Sequence, residues 1–246
     1  MRDEQPVALV VGAGDAIGAA IARRFAAGGF HVCLARRQFD ALTPLVAGIH
    51  AAGGTASAWP MDARDEDAVT STLMKIEAEV GELDLVVFNV GGNVQRPVRD
   101  TSARLFRKVW EQCCLGGFLV GRDAAEHMAP RGHGSIFFTG ATASIRGGAG
   151  YGAFASAKAA LRTFAQSLAR EFGPQGIHVA HLIIDAGVDT PWVRDRIRES
   201  GRDPDALPPA TLMRPESVAE AYWQLHAQAR DGWTFELDLR PFAERW

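Results

Sequence analysis

Short apolar runs alternate along this chain with longer stretches in which apolar residues recur every three or four positions. The runs at Val7–Val11, 31–35, 84–88, Gly134–Thr139, Ile177–Ile184 and 233–239 contain Val, Ile, Leu or Phe, and a further run, Thr55–Pro60, is built of small residues and a tryptophan. They are too short for buried helices and predict seven strands. Between them, helices are predicted over Ile17–Ala27 and from Asp40 to Gly53-Gly54, then over 64–80, 102–128, 151–172 and 215 to about 230. The first shows the pattern clearly, with Ile17, Ile21 and Phe25 on one stripe.

Strands without polar alternation belong in a parallel sheet covered on both faces. The expected fold is therefore α/β: one domain over residues 1–246 with a doubly wound, seven-stranded parallel sheet, helices on both faces, and a ligand at the carboxyl ends of the strands. One segment breaks the rhythm. Residues 191–213 carry four prolines and many charges just beyond the sixth strand, where a lid is expected.

Composition narrows the field of partners. With 47% hydrophobic residues, 22% charged residues and a net charge of −3, the chain lacks the basic excess that nucleic acid or an anionic membrane would select. No apolar run approaches the roughly 20 residues needed to cross a bilayer, and the opening Met1-Arg-Asp-Glu-Gln-Pro has no secretory-leader pattern. Cys33, Cys113 and Cys114 show no metal spacing, and the adjacent pair is a poor disulfide. A reduced, cytoplasmic protein without a metal is expected, with a small molecule as its partner. Only Lys75, Lys108 and Lys158 are lysines among 26 basic residues. In a chain that otherwise uses arginine, a lysine hints at chemistry that a permanently protonated guanidinium cannot perform.

Two segments carry that chemistry. In Val11-Gly-Ala-Gly-Asp-Ala-Ile-Gly18, Gly12, Gly14 and Gly18 lie between a strand and a helix that opens at Ile17. Glycines there let backbone approach a pyrophosphate, and the helix N-terminus adds N–H groups and the positive dipole end. The second strand ends Ala35-Arg36-Arg37, where an NAD-selective site would place a carboxylate. Two guanidiniums suit a 2′-phosphate instead, so NADP is expected, with NAD as the alternative. Asp15 in the loop works against that choice by repelling the phosphate.

The second segment is Tyr151-Gly-Ala-Phe-Ala-Ser-Ala-Lys158. Together with the glycine loop it resembles the short-chain dehydrogenase/reductase family over nearly the whole chain. The resemblance implies a Rossmann-type fold and NAD(P)-dependent hydride transfer between a cofactor and a small carbonyl or alcohol. It assigns Asp62 to the adenine, Asn89 and Gly91 to the turn that steadies the sheet beside the cofactor, Val188 and Thr190 to the nicotinamide amide, and Lys158 to the nicotinamide ribose. It also implies a homodimer or homotetramer built on the helices at 102–128 and 151–172. The apolar tail from Trp233 to Trp246 is a further candidate for a subunit contact.

This sequence departs from the family at its reaction residues. The family's asparagine, serine and tyrosine positions hold Cys113, Ala141 and Phe154, and only Lys158 remains. Loss of a positioned acid typically costs 10²–10⁴-fold in rate. Three explanations stand open. Tyr151 can act as the acid at the Tyr-x₆-Lys spacing seen in bacterial enoyl-acyl-carrier-protein reductases, which would suit an α,β-unsaturated carbonyl. Alternatively another hydroxyl serves, with Thr142 the first candidate and Ser144 and Ser156 behind it. In the third, Phe154 is a packing residue on a stripe with Ala157, Leu161, Phe164 and Leu168, and the protein binds NADP without turning it over, as a redox-linked regulator or structural subunit.

Overall fold

A computed structural model describes residues 5–14 and 16–243. Asp15 and the last three residues of the tail, on which two of the expectations above depend, lie outside the described residues.

Seven parallel strands form one sheet in the order β3-β2-β1-β4-β5-β6-β7. They are β1 (Val7–Val11), β2 (His31–Arg36), β3 (Thr55–Pro60), β4 (Leu83–Phe88), β5 (Gly134–Thr139), β6 (Ile177–Ile184) and β7 (Glu236–Leu239). The order reverses between β1 and β4, and this switch point opens a crevice at the carboxyl ends of the strands. Among the described residues the α-helices are α1 (Ile17–Ala27), α2 (Thr43–Ala51), α3 (Glu66–Glu79), α4 (Ala103–Trp110), α5 (Gly116–Met128), α6 (Gly152–Phe172), α7 (Pro191–Glu199) and α8 (Pro215–His226).

Alternate residues of the strands β1 to β6 feed two cores. Ala8 and Val10 of β1 pack with Ile21 and Phe25 of α1 and with Val218 and Tyr222 of α8. Val7, Leu9 and Val11 face the other way, into a core with Leu73 and Ile76 of α3, Val120 of α5 and Leu161 of α6. Both strand faces being buried is what the unbroken apolar runs required.

Three boundaries differ from the expectation, each for a local reason. The helix expected over 102–128 is interrupted by a π-helical turn, Glu111–Leu115, that separates α4 from α5. An added residue in a turn leaves the apolar periodicity legible on both sides, so the sequence pattern runs through it. α3 begins at Glu66 because the Asp65 carboxylate accepts the Ala68 N–H and caps it. β7 begins at Glu236, not Trp233. Trp233 stacks flat on His178 at 4.8 Å, which removes it from the expected exposed tail, whereas Phe242 is 88% exposed. The segment 191–213 holds α7 and is tied to the strand ends by a β-bridge between Val188 and Met213.

Candidate active site

The glycine loop forms the middle of a groove over the strand ends. Gly12 takes φ +84° and donates its N–H to the Ala35 carbonyl at 2.9 Å. A Cβ on Gly12 would stand 2.9 Å from the Asn89 carbonyl oxygen, and one on Gly18 would stand 2.5 Å from the Gly12 carbonyl oxygen. At these two positions side chains are excluded by backbone. Gly14 differs: a Cβ there would meet nothing within 4 Å, because it opens onto the groove. α1 starts without a side-chain cap, so its first-turn N–H groups, which have no intrahelical acceptors, remain for another anion.

Asn89 fastens this loop to the neighbouring strands. Its Nδ2 donates to the Gly12 carbonyl at 3.2 Å, and its Oδ1 accepts from Thr139 Oγ1 at 3.0 Å. Thr139 Oγ1 in turn lies 2.7 Å from the Tyr222 hydroxyl. Since the Thr139 proton goes to Asn89, Tyr222 donates to Thr139. Burial raises the Tyr222 pKa and keeps the phenol protonated. The chain Tyr222–Thr139–Asn89–Gly12 thus joins α8, β5, β4 and the loop.

One end of the groove is polar. A cavity of about 520 Å³ is lined by Gly12, Gly14, Arg36, Arg37, Asp62, Asn89 and Gly91 among others. The Asp62 carboxylate is clasped by Arg64, through Nε at 2.9 Å and Nη2 at 2.6 Å, and these hydrogen bonds hold its pKa below the usual carboxylate range. Arg64 was not singled out by the sequence, although its place two residues beyond Asp62 is the signal. Arg37 is exposed at the mouth, and Arg36 reaches Gln38 at 3.3 Å.

The other end, about 680 Å³, shares Gly12, Gly14, Asn89, Val90 and Gly91 with the first and adds Ile17, Gly18, Ala141, Tyr151, Phe154, Lys158, Val188 and Thr190. Lys158 is 2% exposed. Its ammonium donates to the Thr139 carbonyl at 2.7 Å and the Val90 carbonyl at 3.1 Å, leaving one of three donors for the cavity. Burial pushes its pKa below the ordinary lysine value. Tyr151 sits half-buried at the N-terminus of α6. Phe154, one turn on, packs with Val109, Cys113 and Ala143 in a small apolar cluster. Cys113 lies within the π-helical turn, and burial raises its thiol pKa.

Thr142 does not join the site. Its hydroxyl donates to the buried Asp185 carboxylate at 2.5 Å, which Arg146 and Arg240 also hold, each at 3.0 Å. A hydroxyl beside a buried, twice-paired carboxylate is bound too well to turn toward the groove. Ser144 accepts the Ala141 N–H, and Ser156 bonds back to the Gly152 carbonyl. No alternative hydroxyl from that group lines the cavity.

Below Lys158 lies a polar cluster the sequence reading missed. Fully buried His181 is the register partner of Glu236 on β7, and its Nδ1 stands 3.5 Å from Glu236 Oε2. Arg162, one turn after Lys158 on α6, clasps the same carboxylate at 2.5 and 2.7 Å. Burial and the neighbouring Lys158 cation push the His181 pKa down to about 4, so the ring is neutral at neutral pH. A polar residue inside the apolar run Ile177–Ile184 was the available signal.

Comparison with known proteins agrees with this geometry. The family model for short chain dehydrogenase matches residues 6–200. The chain belongs to the short-chain dehydrogenase/reductase family. It is 35% identical over 209 residues to short-chain reductase protein NovJ of Streptomyces niveus, covering 83% of this chain and 77% of that one. It is 31% identical over 217 residues to cis-4-hydroxycyclohexanecarboxylate dehydrogenase of Sinomonas cyclohexanicum, covering 87% and 86%. A short-chain dehydrogenase from Rhodopseudomonas palustris superimposes with a TM-score of 0.82 at 49% identity, over 96% of this chain and 99% of that chain. An actinorhodin polyketide ketoreductase, solved with NADPH, shares the fold at a TM-score of 0.87 and 24% identity, over 96% of each chain. The family is one of oxidoreductases.

Proposed function

We propose that this protein is an NADP-dependent reductase of a small carbonyl or α,β-unsaturated carbonyl compound, with Tyr151 as the proton-donating group and Lys158 as the supporting cation. The carrying observation is that Tyr151 and Lys158 line one cavity that is continuous with the glycine-loop groove. The groove suits a dinucleotide in shape and charge: bare glycine backbone in the middle, Arg36, Arg37 and Asp62 at one end, Lys158 at the other. In this reading Gly12, Gly14, Ile17 and Gly18 hold the pyrophosphate, Arg36 and Arg37 the 2′-phosphate, Asp62 the adenine, and Lys158, Val188 and Thr190 the nicotinamide half. Asn89 and Gly91 shape the floor. When bound, NADPH supplies the hydride.

The protein's own residues do the rest. Lys158, anchored by two backbone carbonyls, is a positive charge with little freedom to move. It favours the anionic form of an enolate or alkoxide developing in the cavity. An enolate needs a strong hydrogen bond more than complete proton delivery, which a tyrosine displaced from the family position can supply. Apolar Phe118, Phe106 and Trp110, exposed on α5 and α4, support a homodimer or homotetramer built on these helices.

A second reading rests on the apolar cluster. Phe154, Cys113 and Ala143 pack together in an apolar cluster at the edge of the cavity, as a protein that only binds NADP would tolerate. Titration with NADPH and NADH, followed by NADPH consumption against ketones, aldehydes and enones, separates the two. The reductase reading expects tighter NADPH binding, turnover on one class, and a loss of at least 10²-fold in Tyr151→Phe with NADPH affinity kept. Tight binding with no turnover across the panel favours the binding-only protein.

A further inference from the structure

The lid carries four arginines in a short span, and the structure divides them into two kinds. Arg194 is clamped between Asp189, at 2.5 and 3.0 Å, and Asp205, at 2.6 Å. Arg198 pairs with Asp195 at 2.8 Å. Arg196 and Arg202 face the reaction end of the groove and are different. Arg196 donates to the amide oxygen of Gln95 at 2.5 Å and lies 5.0 Å from the centre of the Trp192 ring. Arg202 donates to the Ser200 hydroxyl at 3.2 Å. Neither has a carboxylate at ion-pairing distance among the described residues.

The imbalance extends to the whole cavity. Its described wall holds three cations, Lys158, Arg196 and Arg202, and no Asp or Glu. Composition does not account for this, because the chain has 29 acidic against 26 basic residues. Nor does crowding, since the neighbouring arginines of the same lid each found an acid. The remaining surface near the lid includes Trp192, Val193, Ile197 and Phe154, which suits an apolar body. A guanidinium steadied by an aromatic face and a neutral amide keeps its planar fork available for a bidentate carboxylate.

We propose that Arg196 and Arg202 form an anion subsite at the lid end of the cavity, and that the substrate is an organic acid with an apolar body and a carboxylate remote from the reacting carbon. The proposal rests on the reading that this cavity receives the substrate. The anion it binds has a second conceivable source, a phosphate of the dinucleotide, because Ile17 and Gly18 line the same cavity. The test separates the two.

The test uses the full chain loaded with NADPH. Cyclohexanecarboxylate, benzoate and hexanoate are titrated by calorimetry, each against its neutral carboxamide. The expected result is that at least one carboxylate binds ten-fold or more tightly than its amide, with an advantage that shrinks as salt rises. Arg196→Gln and Arg202→Gln, checked for unchanged melting, each cut that advantage several-fold while NADPH affinity holds. Equal binding of acid and amide, or no binding by any of the six probes, overturns the subsite. So does a fall in NADPH affinity in both variants with the acid-to-amide ratio unchanged, which assigns the arginines to the cofactor phosphate. The outcome for the reductase reading is independent: turnover of neutral ketones without acid preference keeps the reductase and removes the subsite. Acid-selective binding with no turnover of any keto acid keeps the subsite and removes the reductase.

Discussion

The two ends of the groove have been treated in opposite ways. At the β2–β3 end polar groups stay at the surface and satisfy one another: Asp62 is held by Arg64, Arg36 reaches Gln38, and Arg37 stands in solvent. At the α6 end Cys113 and Phe154 are packed with Val109 and Ala143 in an apolar cluster. The difference reflects what each place demands. A binding surface that stays wet can keep unused charge at little cost, whereas a buried hydroxyl without a partner costs about 1–3 kcal/mol. The charged groups at the buried end are held by partners, Lys158 by two carbonyls and Glu236 by Arg162.

The sharpest way to break this contrast is at the loop that joins the two ends. Gly18→Ala puts a Cβ 2.5 Å from the Gly12 carbonyl oxygen and 2.8 Å from Ala13 Cα, both backbone atoms that cannot swing aside. A stability loss of about 3 kcal/mol is expected from overpacking, with NADPH affinity down at least ten-fold, measured by urea unfolding and fluorescence titration. Parent-like NADPH affinity in the variant would remove the loop from the cofactor site.

Acid should weaken the buried end first. His181 has a folded-state pKa near 4, against about 6.5 in the unfolded chain. Above pH 6.5 the ring is neutral in both states and stability is complete. Between 6.5 and about 4 the unfolded chain takes up a proton that the folded chain refuses, so stability falls as pH falls. His178 and His226, with pKa values also lowered by burial, act in the same direction. A loss on the order of 3 kcal/mol from His181 is expected across that interval. It would appear as a Tm that declines steeply below pH 6 in the parent and less steeply in His181→Gln. Parallel declines would show that His181 titrates normally.

The smallest effect probes the apolar cluster. Phe154→Tyr places a phenol four residues before Lys158, at a position only 7% exposed. Stability should change by less than about 1.5 kcal/mol, because the ring is kept and only a hydroxyl is added. A gain in ketone reduction would show that the rest of the pocket is competent. No gain would trace the loss to the Ala141 and Cys113 positions as well.

Much of the fold was legible because it rests on local periodicity. The strands β1, β3, β5 and β6 match their expected ranges residue for residue, since an apolar run between turn residues has few other uses. The glycine loop was legible because Gly12 and Gly18 leave no room for side chains, a demand met only by residue type. The site was less so. Thr142 looked available until Asp185, forty-three residues on, took its proton. Tyr222, on α8, entered the Asn89 network from eighty-three residues beyond Thr139.

By itself, then, the sequence determined the alternation of strands and helices, the glycine loop, the guanidinium pair at Arg36 and Arg37, and a phenylalanine four residues before Lys158. Each is a property of residue type and short spacing. Tertiary structure decided which partners those residues meet. The register of β6 on β7 set His181 beside Glu236, the π-helical turn brought Cys113 into the Phe154 cluster, and the fold of the segment 191–213 turned Arg196 and Arg202 to the groove while Arg194 and Arg198 found acids elsewhere. The physical reason is range: periodicity and residue type act within a turn or two of chain. Hydrogen bonds and ion pairs of about 3 Å are made between groups that only the packed sheet and helices bring together.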